Sequence, residues 1–343
     1  DLNEATGGAA AAFGAYNKAK GRASVAIGNV SIASAEDSIA IGNRANSNPA
    51  NTDRGSGQFS IAVGRESWAK GTDNISIGHK AETNSSGDSI AMGRESKANQ
   101  ANAVAIGPQA NANGWGGIAM GREAAISANF ATAIGYQSKA EGSSSVAIGK
   151  NNTTTGGAGG VAIGNTNTST GDRAISIGEK NNSNKEDTIT MGTSNNANIG
   201  GGIAIGQNNL ADSTVGGGRD AGNTMIAIGR ENKATAEDTV AIGRKTTASA
   251  NVSVALGARS EATGSGAIAI AGNGEGYQTT ASKTGSIAIG MQSNSTGVAS
   301  TAVGGVAQAT EKGASALGFK ANATAESATA LGQESVASVK DGD

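Results

Sequence analysis

The sequence predicts an all-β solenoid: a stack of about twenty parallel coils, each about 14 residues long. Three observations predict it. An apolar-small-apolar-Gly string recurs along the chain, its glycines fall at a nearly constant step, and a second segment of alternating small residues follows each glycine.

The string first reads Val25-Ala26-Ile27-Gly28 and Ile39-Ala40-Ile41-Gly42. It returns as Ile61-Ala62-Val63-Gly64, Ile75-Ser76-Ile77-Gly78 and Ile90-Ala91-Met92-Gly93, and is still present at Ala330-Leu331-Gly332. The step between glycines is 14 or 15 residues, with longer gaps between Gly42 and Gly64, Gly206 and Gly229, and Gly272 and Gly290. The extra residues are rich in Asn, Gly, Ser, Asp and Thr. They read as loops at about 46–58, 211–223 and 273–283 within one repetitive domain, 1–343, whose coils run from about 11 to 337.

Composition agrees with a narrow core. Aromatic residues make up 3% of the chain and charged residues 16%, against 54 glycines. Large side chains are too few for a wide interior, whereas a coil with closely spaced walls needs few.

After each glycine come two variable residues, then a small residue at the third and fifth places, as at Ser67 and Ala69 or Ser96 and Ala98. The fourth place is free, holding Trp68, Lys97 or Lys139. Period-two alternation of this kind makes a strand with one wet face. In the first strand the two large apolar residues share one face, and the residue between them is Ala, Ser or Thr. The expectation is that Ile and Val fill the coil, about 3–6 kcal/mol gross per coil, and that the small residue faces another chain. The motif glycine ends the strand at a sharp turn where a Cβ would clash. Glu36-Asp37-Ser38, Glu186-Asp187-Thr188 and Glu237-Asp238-Thr239 precede first strands and read as turns, with Asp and Ser or Thr bonding backbone amides.

Units such as Ser145-Val146-Ala147-Ile148-Gly149 and Asp37-Ser38-Ile39-Ala40-Ile41-Gly42 resemble the head repeat of trimeric autotransporter adhesins, of which Yersinia adhesin A is the type example. The long tandem head is also similar to the ubiquitous surface protein A adhesins of Moraxella. The resemblance implies a left-handed parallel β-roll assembled as a parallel homotrimer. It implies a place at the bacterial cell surface, held in the outer membrane through a stalk and barrel outside this fragment. It further implies binding to extracellular-matrix or cell-surface proteins of the fibronectin, laminin or collagen class, and thereby bacterial attachment. A passive spacer holding another binding region away from the cell is the alternative.

No enzyme is expected. The chain has one histidine and no cysteine, so no cofactor, metal or nucleophile constellation is read. His79 shares a column with Arg65 and Arg94 and reads as an exposed ladder residue. The paired acids fall at repeat boundaries, and Gly272-x-Gly274-x-Gly276 lacks the helix a phosphate loop needs. With net charge −2 and no basic stripe in the linear sequence, nucleic acid is not an expected partner. No apolar run is long enough to cross a membrane as a helix. The opening Asp1-Leu2-Asn3-Glu4 carries no signal-peptide pattern, so a mature fragment is expected. Candidate ligand-binding residues are Trp68 and Lys97 at free fourth places, with Arg54 and Arg219 in the loops. Trp115, among Gly114, Gly116 and Gly117, is expected to cover a hole left by glycine.

Overall fold

The structure is a computed structural model that describes residues 2–47, 58–85, 87–212, 224–270 and 276–339. Every element among them is a β-strand and every pairing is parallel. The chain forms two compact units, Asp1–Thr170 and Gly171–Asp343.

In each unit one coil supplies a long strand and a short strand. The first unit contains long strands such as Val25–Asn29, Ile39–Asn43 and Ile61–Val63, and short strands such as Trp68–Ala69, Glu82–Thr83 and Lys97–Ala98. Long strands pair with long strands of the next coil, Ala26 opposite Ala40 and Ala40 opposite Ala62. Short strands do likewise, Trp68 opposite Glu82 and Glu82 opposite Lys97. The second unit repeats the plan, from Ile175–Glu179 and Asn182–Ser183 to Thr329–Leu331 and Val336–Ala337. The longer steps leave the register intact: Ala204 pairs Ala227 and Ala269 pairs Ala288. Thr279–Ala281, inside the third insertion as read from sequence, is a short-row strand opposite Ser260–Ala262.

The interior reverses one expectation. The small middle residue of each long strand points into its own coil, and the Ile, Val and Met on either side point out. Ala26, Ala40, Ala62 and Ala147 are wholly buried. Ile27, by contrast, is 36% exposed and Met120 40%. Alternation fixes that the two large residues share a face; the width of the coil decides which face turns inward. Ala69, Ala98 and Ser67 of the short segment are also wholly buried, so the two strand rows meet through methyl and hydroxymethyl groups. Where the middle residue is polar it bonds across the coil: Ser76 Oγ lies 3.1 Å from Thr83 Oγ1, and Thr190 Oγ1 lies 2.8 Å from Ser183 Oγ. An isoleucine in that place would overpack a space sized for Ala or Ser.

Turn chemistry explains the glycines. Gly28 has φ +128°, and a Cβ there would sit 1.9 Å from the carbonyl oxygen of Gly42 in the next coil. Stacked turns thus touch backbone to backbone. The second residue after the glycine takes left-handed φ whatever its identity, as at Val30, Glu66, Lys80 and Glu95. The opposite turn does the same at Asp37, Asp187 and Asp238, a conformation that Asp tolerates better than most residues. The following hydroxyls donate to carbonyls, Ser38 to Ala35 O at 2.7 Å, Thr188 to Lys185 O at 2.8 Å and Thr239 to Ala236 O at 2.7 Å, while Asp238 Oδ1 accepts the backbone N–H of Thr224 at 3.1 Å.

The third place is not always small. Asn181, Asn195, Asn209 and Asn232 stand there in successive coils of the second unit, each at most 1% exposed. The side-chain amides of the last three donate to the oxygen of the asparagine before them, at 3.0 Å for Asn195 and 2.9 Å for Asn209 and Asn232. The first unit carries a shorter file, Asn167 donating to Asn152 at 3.0 Å.

Candidate interaction surface

The wet face of the short row carries the variable side chains in straight columns, because parallel in-register strands put equivalent places one above another. In the first unit these columns form a groove of about 660 Å³. Second-place Arg44, Glu66, Lys80 and Glu95 and fourth-place Trp68, Glu82 and Lys97 line it. The two sequence-predicted residues Trp68 and Lys97 thus share one surface, two coils apart. Arg54 and Arg219 lie outside the described residues.

Trp68 is 40% exposed, and Lys70 Nζ stands 4.6 Å from its ring centroid. Lys70 also pairs with Glu82 at 3.1 Å and bonds Asn84 Oδ1 at 2.7 Å. Lys80 pairs with Glu66 at 3.9 Å, as the alternating column predicts, and Gln109 donates to Glu95 at 3.0 Å. Further along, Gln137 donates to Glu123 at 2.6 Å and Arg122 pairs with it at 3.0 Å. The Gln137 hydrogen bond first, then Arg122, hold the Glu123 carboxyl below its ordinary range. In this surface, then, the carboxylates have partners.

Several cations do not. Arg44, Arg94 and Lys97 form no ion pair among the described residues, and Arg65 spends a guanidinium N–H on His79 Nε2 at 2.6 Å. A guanidinium only donates, so Nε2 is the acceptor. His79 is half-buried in that ladder rather than fully exposed. The linear sequence shows no basic stripe, but the fold makes a short one: Arg65, His79 and Arg94 stand in consecutive coils, and Arg122 and Lys150 occupy the same column further on.

Trp115 does not cover a hole. Its ring meets Phe130 edge-on, centroids 4.8 Å apart and planes at 87°, on the outside of a turn. The space left by Gly117 is filled from within by Ile126, which is 1% exposed and whose Cδ1 would lie 2.0 Å from a Cβ on Gly117. No group of three or more His, Cys, Asp or Glu side chains able to hold a metal occurs among the described residues.

Copies of the YadA head domain repeat match residues 5–45, 56–82, 85–124, 127–152, 156–179, 226–246, 248–270, 276–293 and 295–340. The chain belongs to the YadA head family. It is therefore a head domain of the trimeric autotransporter adhesin kind, a structural adhesin family exposed at the bacterial surface. No curated protein matches the chain. Residues 180–225 fall outside the family matches, yet Ile189–Thr193 and Ile203–Gln207 keep the head register. Sequence reasoning missed two features of this YadA-type head: the buried asparagine file and the outward apolar stripe. The recurrence of Asn181, Asn195 and Asn209 at 14-residue intervals was the signal for the first.

Proposed function

We propose that this head assembles as a parallel homotrimer and attaches bacteria to host extracellular-matrix or cell-surface proteins. The outward apolar stripe is the observation that supports assembly. Most coils set two Ile, Val, Met or Leu side chains outside the long row, and many remain about a third exposed in the single chain. Full burial of such a side chain is worth about 1.5–3 kcal/mol, so finishing it yields about 0.5–1 kcal/mol at each place. Repeated along each unit, that exceeds what a monomer leaves in water. A second copy of the chain has the same coil pitch and can match the stripe coil for coil.

Attachment follows from presentation. A trimer shows every surface column three times, so contacts of modest strength combine. Nothing in the described columns resembles a catalytic constellation. The test is direct: immobilise fibronectin, laminin and collagens, and measure binding of the purified trimer and attachment of bacteria with and without the head. Loss of attachment on deleting the head supports the reading. An unbound wild-type head and unchanged attachment would replace it with the spacer role.

A further inference from the structure

We infer that the Trp68 surface of the first unit is a binding track for a sulfated polysaccharide. This names a ligand class for the adhesive surface and rests on the adhesin reading. Three observations carry it.

The first is charge complementarity. On this surface Glu66, Glu82 and Glu95 are each engaged by Lys80, Lys70 and Gln109. Arg44 and Lys97, which line the groove, and Arg65 and Arg94, in the column next to its second-place residues, pair with no carboxylate among the described residues. The acids are satisfied and the excess is cationic. A guanidinium offers parallel N–H donors that match the oxygens of a sulfate as they match a phosphate.

The second is spacing. Arg44, Arg65 and Arg94 fall on the first, second and fourth of four successive coils, and Lys97 shares the coil of Arg94. At about 4.8 Å per strand the four cations span about 15 Å along the stack. A linear polyanion laid along the coils meets one after another; a single small anion reaches only one.

The third is Trp68, exposed in the groove that Arg44 and Lys97 also line. Its ring gives an uncharged sugar ring a flat apolar surface between charged substituents, and aromatic residues ringed by polar groups are where binding energy concentrates. Nucleic acid suits the track less well. Sequence-tolerant binding of single strands uses several stacking aromatics, and one stands here.

The experiment uses the trimeric head and a heparin octasaccharide, with titration calorimetry at about 0.05 M and about 0.3 M salt. Parallel arms use the same oligosaccharide chemically desulfated, polyglutamate and single-stranded DNA. Binding of heparin should weaken at least tenfold between the two salt concentrations. The double variant R65A/R94A should lose at least tenfold in affinity, and W68A roughly fivefold with the salt dependence unchanged. Lys320→Ala, in the other unit, should bind as wild type does. All four side chains project from the surface, and trimer content is verified for each variant. Undiminished binding by R65A/R94A overturns the inference, as does equal affinity for the desulfated chain, polyglutamate or DNA. A final arm separates this inference from the reading beneath it. If host-cell attachment survives enzymatic removal of sulfated glycans undiminished, the track is refuted and the adhesin stands. If the trimer attaches to no host surface, both fall.

Discussion

Asn195→Ala is the perturbation that best measures what the buried asparagine file contributes. The Asn195 amide donates to Asn181 Oδ1 at 3.0 Å, to Met191 O at 2.9 Å and to Gly206 O at 2.7 Å. Its oxygen accepts the backbone N–H of Asn209 at 3.0 Å and the Asn209 side-chain amide at 2.9 Å. Alanine removes all of these and leaves the buried N–H of Asn209 without its acceptor. A buried polar group left unmatched costs about 1–3 kcal/mol, and the loss here involves several. Part of it can be recovered. In coils with Ala or Ser at the third place, the backbone N–H turns back to the motif glycine, as from Ala81 to Gly78 O at 3.4 Å or from Ala110 to Gly107 O at 3.2 Å. If Asn209 adopts that longer bond to Gly206, the net loss should be about 2–4 kcal/mol, concentrated in the coils of Asn181 to Asn232. Repeat arrays seldom unfold in one step, so amide hydrogen exchange is the suitable assay. The Asn209 amide should lose protection by that amount, while Ala98 in the other unit is unchanged. Asn195→Ser should lose less, since Ser138 Oγ reaches the equivalent glycine carbonyl, Gly149 O, at 2.9 Å. A change at Asn209 under about 0.5 kcal/mol would refute the view that the file holds these coils together.

Gly28→Ala should disrupt its coil, because a Cβ meets the Gly42 carbonyl and the φ of +128° is unsuited to alanine; circular dichroism melting reads the loss. Gly117→Ala should destabilise by about 1–3 kcal/mol through overpacking against Ile126. Adding Ile126→Ala should restore most of it, so a double-mutant cycle that is additive would contradict the pairing. Arg173 grips Asp187 with two hydrogen bonds, 2.6 and 2.8 Å, which hold the Asp187 carboxyl below its ordinary value. The depressed folded value means the pair's contribution is present at neutral pH and is lost as pH falls through the acid range. NMR titration should show Asp187 moving back up in Arg173→Gln.

The coil period, the parallel stacking and the wet face of the short row were all legible in the sequence, because each leaves a period: fourteen for the coil, two for the strand. The direction of the long strand's faces was not. Val146-Ala147-Ile148 says only that Val and Ile lie together. Whether they point in or out depends on the distance between rows, which small buried residues of the facing row such as Ala140, outside the string, keep short. For the same reason Ala147→Glu is expected to break the coil itself rather than only to weaken association. Trp68 and Lys97 were readable as outward residues, since alternation assigns them a face. Their neighbours were not readable as a set, because the cationic surplus appears only when stacking puts Arg44 into the groove and Arg65 and Arg94 into the column beside it, while the local glutamates are paired elsewhere. Ile126 stands at the fifth place after Gly121, where other coils carry a small residue. Its partner Gly117, nine residues earlier, explains it through a contact no local pattern encodes.

The central claim is that the outward apolar stripe is covered by copies of the same chain. Sedimentation velocity of the wild-type head and of Ile148→Lys tests it most directly. Ile148 is partly exposed in the single chain and adjoins the wholly buried Ala147, so lysine there leaves the coil interior untouched. The account predicts a wild-type species of three times the chain mass at micromolar concentration, and for the variant a shift toward monomer that retains its β-sheet signal. A wild-type head that sediments as a stable monomer at that concentration would contradict it.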